Sequence, residues 1–176
     1  MPRVPVHRPA GPRPPSLVEA WCRRFALACR ERGVRLTHQR LAVYRALAGD
    51  TGHPTADGVH AHLRDSMPSL SLATVYRILE SLEAAGLIRR VSATGGGVRF
   101  DANTAPHQHL VCRGCGRMAD HDDPALAALA APARAPAGFR PEELDIRILG
   151  LCAACAAGRG ARVPSRKPGR PVASPV

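Results

Sequence analysis

Apolar and polar positions along the first half of the chain alternate in helical segments and then in two short strand segments. Each of the later helical segments follows a Thr or Ser at a position suited to an N-cap, and Gly33 and Gly86 stand at helix ends. Residues 95–97 are three glycines, which predict a turn between the two strands. The predicted elements are helices over 17–32, 38–48, 56–65 and 72–85 and strands over 87–91 and 98–101.

The helix predicted over 72–85 carries an apolar stripe on one side and polar side chains on the other. Its stripe is formed by Val75, Ile78, Leu79 and Leu82. Several short helices followed by a hairpin are typical of a winged helix-turn-helix, in which this helix enters the major groove. Thr74, Tyr76 and Arg77 lie off the stripe and are candidate DNA contacts. An ordinary solvated helix face explains the same pattern, and the pattern alone does not choose between the two.

The second half of the chain predicts a small module with strands over 108–111, 117–120 and 144–149 and a helix over 124–131. Its apolar content is too small for a strong core, so a structural metal and dimerisation would both stabilise it. The fold class expected for the whole chain is α+β, with an N-terminal winged helix-turn-helix domain followed by a small α/β dimerisation domain.

Composition divides the chain further. Residues 1–16 and 159–176 are rich in Pro and Arg without apolar periodicity, which predicts two disordered basic extensions. They flank a DNA-binding domain over 17–101, a linker over 102–106 and a metal-binding dimerisation domain over 107–158. No segment has the length and apolar content of a membrane span or a secretory signal, so a cytoplasmic protein is expected.

Charge is distributed unevenly along the 176 residues. The formal net charge of +11 divides into +7 over residues 1–101, −1 over 102–158 and +5 over 159–176. A basic first half joined to a near-neutral module is typical of a nucleic-acid-binding domain with a partner domain. A chain that is basic only because it is rich in Arg would be basic throughout, which the near-neutral middle disfavours.

Four of the six cysteines form two Cys-x-x-Cys pairs. Each pair brings two sulfurs to one metal, and two pairs complete the tetrahedron of a structural zinc site. Redox dithiols and an iron–sulfur cluster are the alternatives, although neither pair has a thioredoxin-like setting. Cys22 and Cys29 lie on a predicted helix and are expected to be buried apolar side chains. The predicted zinc ligands are Cys112, Cys115, Cys152 and Cys155.

A second set of potential ligands carries nitrogen and oxygen donors. His107 and His109 point to the same face if they lie on a strand. Asp120 ends the next strand, Asp101 precedes the linker and His53 lies in the loop before the third helix. Two carboxylates and up to three imidazoles suit Fe(II) or Mn(II) and can also hold Zn(II).

An enzyme is a further reading, since zinc also serves deaminases and hydrolases. Catalytic zinc needs an open position and a general base, as in the patterns H-x-E and H-E-x-x-H. The nearest segment, His60-Ala61-His62, has no Glu. The sequence therefore favours a protein that is not an enzyme.

Taken together, these motifs resemble the ferric uptake regulator family of metal-dependent bacterial repressors. The resemblance runs from about residue 17 to about residue 158. The segments that carry it are 36–40 (LTHQR), 53–57 (HPTAD), 71–77 (SLATVYR), 98–101 (VRFD), 107–109 (HQH) and both Cys-x-x-Cys pairs.

The resemblance implies a homodimer that binds double-stranded DNA at a palindromic operator. It adds Arg35 and Arg40 to Tyr76 and Arg77 as DNA contacts. It also makes the four paired cysteines the structural zinc site. The regulatory metal site at the domain junction would consist of His53, Asp101, His107, His109 and Asp120.

Two aspartates with three histidines resemble the peroxide-sensing branch of this family. The resemblance implies repression with Fe(II) or Mn(II) bound, and release of DNA when peroxide and iron oxidise His53 or His107. An iron-level sensor that uses the same ligands without peroxide chemistry is the alternative within the family.

Overall fold

The computed structural model describes residues 12–92, 97–129, 136–140 and 144–160. Within them, no helix is long and apolar enough to cross a membrane. The elements in chain order are α1 (Pro15–Glu31), α2 (His38–Gly49), α3 (Ala56–Leu63), α4 (Leu72–Ala84), β1 (Arg89–Ser92), β2 (Val98–Asp101), β3 (Gln108–Cys112), β4 (Met118–His121), α5 (Pro124–Leu129), β5 (Arg147–Gly150) and α6 (Ala153–Ala156).

The N-caps inferred from the sequence begin three of these helices. The hydroxyl oxygens of Thr37, Thr55 and Ser71 accept hydrogen bonds from the backbone N–H groups three residues later. Such bonds satisfy donors that the first turn of a helix otherwise leaves unpaired. Gly86 follows α4 with φ 64°, a left-handed conformation that glycine adopts without strain.

One apolar core joins the four helices to the β1–β2 hairpin. The stripe of α4 is buried in it, with Leu79 and Leu82 fully shielded from solvent. The rings of Phe25 from α1 and Tyr44 from α2 stack at a centroid distance of 3.9 Å. Cys22 and Cys29 are buried in the same core, as predicted. Four helices and an antiparallel hairpin confirm the winged-helix layout of the first domain.

The second module is a three-stranded sheet with the order β4-β3-β5. β3 pairs antiparallel with β4 and parallel with β5, and His109 lies opposite Asp120 in the first pairing. Among the described residues, the second buried apolar cluster holds only Val111 and Met118 of this sheet together with Val91 of β1. This small core confirms that the module has little apolar stabilisation of its own.

The structure corrects several predicted boundaries. The first helix begins at Pro15 rather than Leu17, because proline is compatible with the first turn of a helix. The last strand is Arg147–Gly150, later than the predicted 144–149, because its pairing with β3 begins at Arg147. Helix α6, which follows Cys152, was not predicted.

The predicted N-terminal extension of 1–16 is wrong for residues 12–16. Pro12 forms a β-bridge with Asp50, and the N–H of Arg13 donates to the carbonyl of Gly49 over 2.9 Å. The disorder predicted for residues 1–11 and 161–176, the glycine turn at 95–96 and the end of the predicted helix at 130–131 lie outside the described residues.

Candidate metal centres and DNA-contacting helix

A cluster of five histidine and aspartate side chains lies where the two domains meet. One donor atom from each of them lies within 4.8 Å of every other. The members are the five residues predicted from the sequence: His53, Asp101, His107, His109 and Asp120. His53 precedes α3 and Asp101 ends β2, whereas the other three belong to the sheet module or its start. The cluster therefore takes ligands from both domains.

His53 reaches this cluster from a backbone conformation that histidine rarely adopts. Its φ is 56°, the only positive φ of a non-glycine residue in the described chain. Arg99 from β2 donates to the carbonyls of Gly52 and His53 over 3.2 and 3.0 Å. The N–H of Phe100 also donates to the carbonyl of Pro54. These bonds to β2 hold the strained loop, and such strain is common at functional sites.

The donor atoms have the spacing expected around one metal ion. Metal–ligand distances of about 2.1 Å place neighbouring donors roughly 3 Å apart. The Nε2 atom of His107 lies 3.0 Å from Nε2 of His109 and 3.1 Å from Oδ2 of Asp101. Nε2 of His53 lies 2.7 Å from Oδ1 of Asp120 and 3.6 Å from Oδ2 of Asp101.

Several of these donors are buried without a hydrogen bond. Nε2 of His53, Oδ2 of Asp101 and Oδ1 of Asp120 have no hydrogen-bond partner among the described residues, although they lie close together. Buried polar atoms in native proteins are almost always paired. Close contact without hydrogen-bond geometry fits donors that point at a common centre. The residues present therefore fit a bound metal ion.

Mutual charge effects shift the pKa values inside the cluster. Burial lowers the pKa of His53, but the carboxylates of Asp101 and Asp120 outweigh it and raise the pKa to about 9. The same balance raises the pKa of His107 to about 10. Burial raises the pKa of both aspartates, yet the neighbouring histidines hold each well below its usual range. Without a metal, protonated imidazoles therefore neutralise the two carboxylates.

Arg13 adjoins the cluster, and nothing in the sequence indicated it. Its Nη2 atom donates to Oδ2 of Asp120 over 2.7 Å, and its side chain is 8% exposed. The residue lies in the segment that the sequence pattern predicts to be a disordered extension. Its own spacing to the other members follows no motif, so only the folded chain reveals the contact.

The four paired cysteines form a second cluster, at the far end of β3. Their sulfur atoms lie within 4.8 Å of one another, and Sγ of Cys115 is 3.8 Å from Sγ of Cys152. Four sulfurs at 2.3 Å from one zinc ion are about 3.8 Å apart. A Cβ on Gly114 would lie 2.9 Å from Sγ of Cys155, so glycine is needed for this approach. The geometry suits a closed tetrahedral site.

The thiol pKa values show why a cation would favour this cluster. Burial raises the pKa of Cys112, but bonds from the backbone N–H groups of Cys152, Cys115 and Gly114 lower it to about 6. Burial and the neighbouring sulfurs raise the pKa of Cys155 to about 12. Four thiolates this close repel one another, and a divalent cation removes that repulsion.

The candidate DNA contacts lie at the start of α4 and at its surface. The hydroxyl of Tyr76 donates to Oδ2 of Asp57 over 3.2 Å, and Tyr76 is 40% exposed. Nη2 of Arg77 donates to the hydroxyl of Thr74 over 3.3 Å. All three side chains are exposed or half-exposed, which leaves them accessible to a DNA groove.

Arg40 is placed differently from Arg77. Its guanidinium donates to the carbonyl of Arg35 over 2.6 Å and to the hydroxyl of Ser81 over 3.2 Å. Arg40 therefore links α2 to α4 and has a structural role beside any DNA contact. Its predicted contact with DNA, like that of Arg35, stays a prediction.

Comparison with known proteins gives a consistent result. The sequence profile of the ferric uptake regulator family matches residues 31–149. The peroxide operon regulator of Bacillus subtilis is 34% identical over 126 residues, which cover 72% of this chain and 87% of that protein.

Solved structures are similar as well. The ferric uptake regulator of Pseudomonas aeruginosa with manganese has a TM-score of 0.60 at 26% identity, covering 73% of this chain and 97% of that one. A zinc uptake regulator in complex with zinc and DNA also has a TM-score of 0.60 at 26% identity, covering 80% and 96%. This chain belongs to the ferric uptake regulator family of metal-dependent repressors.

Proposed function

We propose that this protein is a DNA-binding transcriptional repressor that binds DNA when a metal ion occupies the junction cluster, and that it senses peroxide through that metal. The observation that carries the proposal is the cluster itself. It joins His53 and Asp101 of the winged-helix domain to His107, His109 and Asp120 of the sheet module.

Fe(II) or Mn(II) is the metal proposed for this junction. The donors are three imidazoles and two carboxylates, a set without sulfur that these ions favour and that zinc also accepts. The four-cysteine cluster is proposed to hold a structural zinc ion, because its donors are all thiolates in a closed arrangement. Zinc there would tie β3 to α6 and compensate for the small core of the module.

Metal binding would be coupled to DNA binding through the angle between the domains. A metal that needs ligands from both domains stabilises the arrangement that brings those ligands together. Because the coupling is a difference in affinity between two arrangements, DNA and metal must favour each other to the same extent.

The proposed DNA-reading element is α4, which would enter the major groove with Thr74, Tyr76 and Arg77 towards the base edges. A homodimer on a palindromic operator is part of the proposal. It is supported by the outer strand β5, where Leu149 is 51% exposed and the nearby Leu151 60% exposed. A second copy of the chain would shield these apolar side chains.

The composition of the site supports peroxide sensing. Five protein donors would leave room for peroxide to bind an ion held at this site. A ferrous ion held by these residues would supply the activation of peroxide, and the imidazole of His53 or His107 would take up one oxygen atom at a C–H bond while the other oxygen leaves as water. His53 and His107 hold the ion between the domains, so an added oxygen on either would weaken the site and release DNA.

Mass spectrometry of the protein loaded with Fe(II) or Mn(II) tests the sensing mechanism. After dilute peroxide, a peptide containing His53 or His107 is expected to gain one oxygen atom in the iron form only. If the iron form gains none yet binds DNA in a metal-dependent way, the protein is an iron-level sensor. A gel shift on palindromic DNA with and without Mn(II) tests repressor activity separately.

A further inference from the structure

Arg13 lies before the first helix and contacts both the winged-helix domain and the sheet module. Its Nη1 atom donates to the carbonyl of Ala48 over 3.0 Å, while Nη2 donates to Asp120. Its guanidinium carbon also lies 4.4 Å from the centre of the Trp21 ring. Backbone pairing with Gly49 fixes the main chain of Arg13. The side chain is therefore held in place by the winged-helix domain and presented to the other domain.

The contact with Arg13 gives the two carboxylate oxygens of Asp120 different neighbours. Oδ2 accepts the bond from Arg13 at 2.7 Å, whereas Oδ1 faces Nε2 of His53 at 2.7 Å and Nε2 of His107 at 3.4 Å. A charge-assisted bond of this length is strong, and the buried guanidinium strengthens it further. One oxygen of Asp120 thus points at the metal cluster and the other is held away from it.

We propose that Arg13 is a positioning residue that restricts Asp120 to a single donor oxygen and so keeps one coordination position of the junction metal open. This inference rests on the proposed function of the cluster as a metal site. Arg13 would also lower the affinity of the site, because it places a positive charge beside the divalent ion and draws charge from one of its ligands. An open coordination position allows peroxide to reach the metal, and a lower affinity allows the metal to dissociate after the reaction.

Removal of Arg13 should therefore raise the metal affinity of the site and let Asp120 fill the open coordination position. In Arg13→Ala, Oδ2 of Asp120 becomes free to bind the same ion, while the β4–β3 pairing opposite His109 still fixes the backbone of Asp120. Loss of the positive charge of Arg13 and gain of a second donor oxygen from Asp120 both raise the affinity of the site for a divalent ion. The affinity for Mn(II) is expected to rise about tenfold.

Co(II) provides a spectroscopic test in protein whose cysteine cluster already holds zinc. Six-coordinate Co(II) absorbs visible light more weakly than five-coordinate Co(II). The Arg13→Ala spectrum is expected to be weaker than that of the wild type, and Arg13→Lys, which keeps the charge and a donor, is expected to retain the wild-type spectrum. Mn(II) titration of the same proteins gives the affinities.

Arg45→Ala is the matched control. Arg45 is an arginine of α2 that pairs with Glu19 of α1, and it carries the same charge without touching a ligand of the cluster. A wild-type spectrum and affinity in Arg13→Ala would overturn the inference, as would an equal change in Arg45→Ala. If the wild type itself takes up neither Co(II) nor Mn(II) at the junction, the proposed function fails instead.

Discussion

Nε2 of His53 lies 2.7 Å from Oδ1 of Asp120, although His53 precedes α3 and Asp120 lies within β4, opposite His109 of β3. Neither atom has a hydrogen-bond partner among the described residues. Two donors from different domains that approach without bonding each other are arranged for a third group. A metal ion held by both atoms, as proposed, would link metal binding to the positions of the two domains.

Replacement of His53 should therefore separate metal binding from the rest of the fold. In His53→Ala, the junction loses a donor that only the winged-helix domain supplies at that position. The affinity for Mn(II) is expected to fall by at least about 100-fold, as measured by calorimetric titration. Metal-dependent binding to operator DNA should be lost with it in a gel shift.

His62→Ala is the control for that experiment, because His62 is an exposed histidine of α3 outside the cluster. It should bind Mn(II) and DNA like the wild type. Metal-dependent DNA binding that persists in His53→Ala would show that the junction cluster does not couple metal to DNA.

Zinc at the four-cysteine cluster should be required for the stability of the sheet module. Cys152→Ser removes one of four ligands, so the zinc content is expected to fall from about one ion per chain towards zero. The melting temperature should fall by roughly 10 °C or more, since a small core gains much of its stability from the metal.

Cys22→Ser isolates the effect of the site from that of a lost thiol. Cys22 is buried in the helical core and lies outside the cluster. Its replacement should leave the zinc content unchanged, as measured by elemental analysis. Equal zinc loss in both variants would contradict the assignment of the ligands.

The stability of the metal-free protein and its affinity for metal should change with pH in opposite directions. The pKa of His53 is raised to about 9 and that of His107 to about 10 in the metal-free fold. A raised pKa contributes stability that is fully present below the unfolded value of about 6.5 and is lost as the pH rises through 9 to 10. Metal must displace the same protons, so its affinity should increase over that interval.

Two measurements check these opposite pH dependences of stability and metal affinity. The melting temperature of the protein with the junction metal removed should fall between pH 7 and pH 10, and this fall should be smaller in His107→Asn. The Mn(II) affinity should rise over the same range, with proton release detectable in buffers of different ionisation enthalpy. A metal affinity that does not change with pH would show that these imidazoles are not protonated before metal binds.

DNA binding should depend on Arg77 more specifically than on other surface arginines. The exposed guanidinium of Arg77 donates to the hydroxyl of Thr74 at the surface of α4, so it can turn to a base or phosphate. Arg77→Ala is expected to weaken operator binding by about 1–3 kcal/mol. Fluorescence anisotropy at fixed salt gives the affinity.

Arg64→Ala serves as the comparison, because Arg64 is an exposed arginine that follows α3 and pairs with Asp65. Its loss should cost less than a few tenths of a kcal/mol in operator affinity. If both variants weaken binding equally, α4 has no special role. Arg40→Ala should instead lower the thermal stability, because Arg40 joins α2 to α4.

Local patterns were enough to predict much of this fold. The N-caps at Thr37, Thr55 and Ser71 and the stripe of α4 are properties of short segments, so they could be inferred without tertiary contacts. The spacing of the cysteines predicted the four-sulfur cluster, and the resemblance to the ferric uptake regulator family implied the five histidines and aspartates that the fold brings together.

The sequence by itself determined most of the elements, the two groups of candidate ligands and the family. Only the tertiary structure decided how they meet. The strained backbone of His53 is set by bonds from Arg99 and Phe100 of β2, which no local pattern encodes. The role of Arg13 depends on pairing with Gly49 and on the position of Asp120 in the other domain. Such contacts join residues far apart in the chain, and their geometry arises only when both domains are packed.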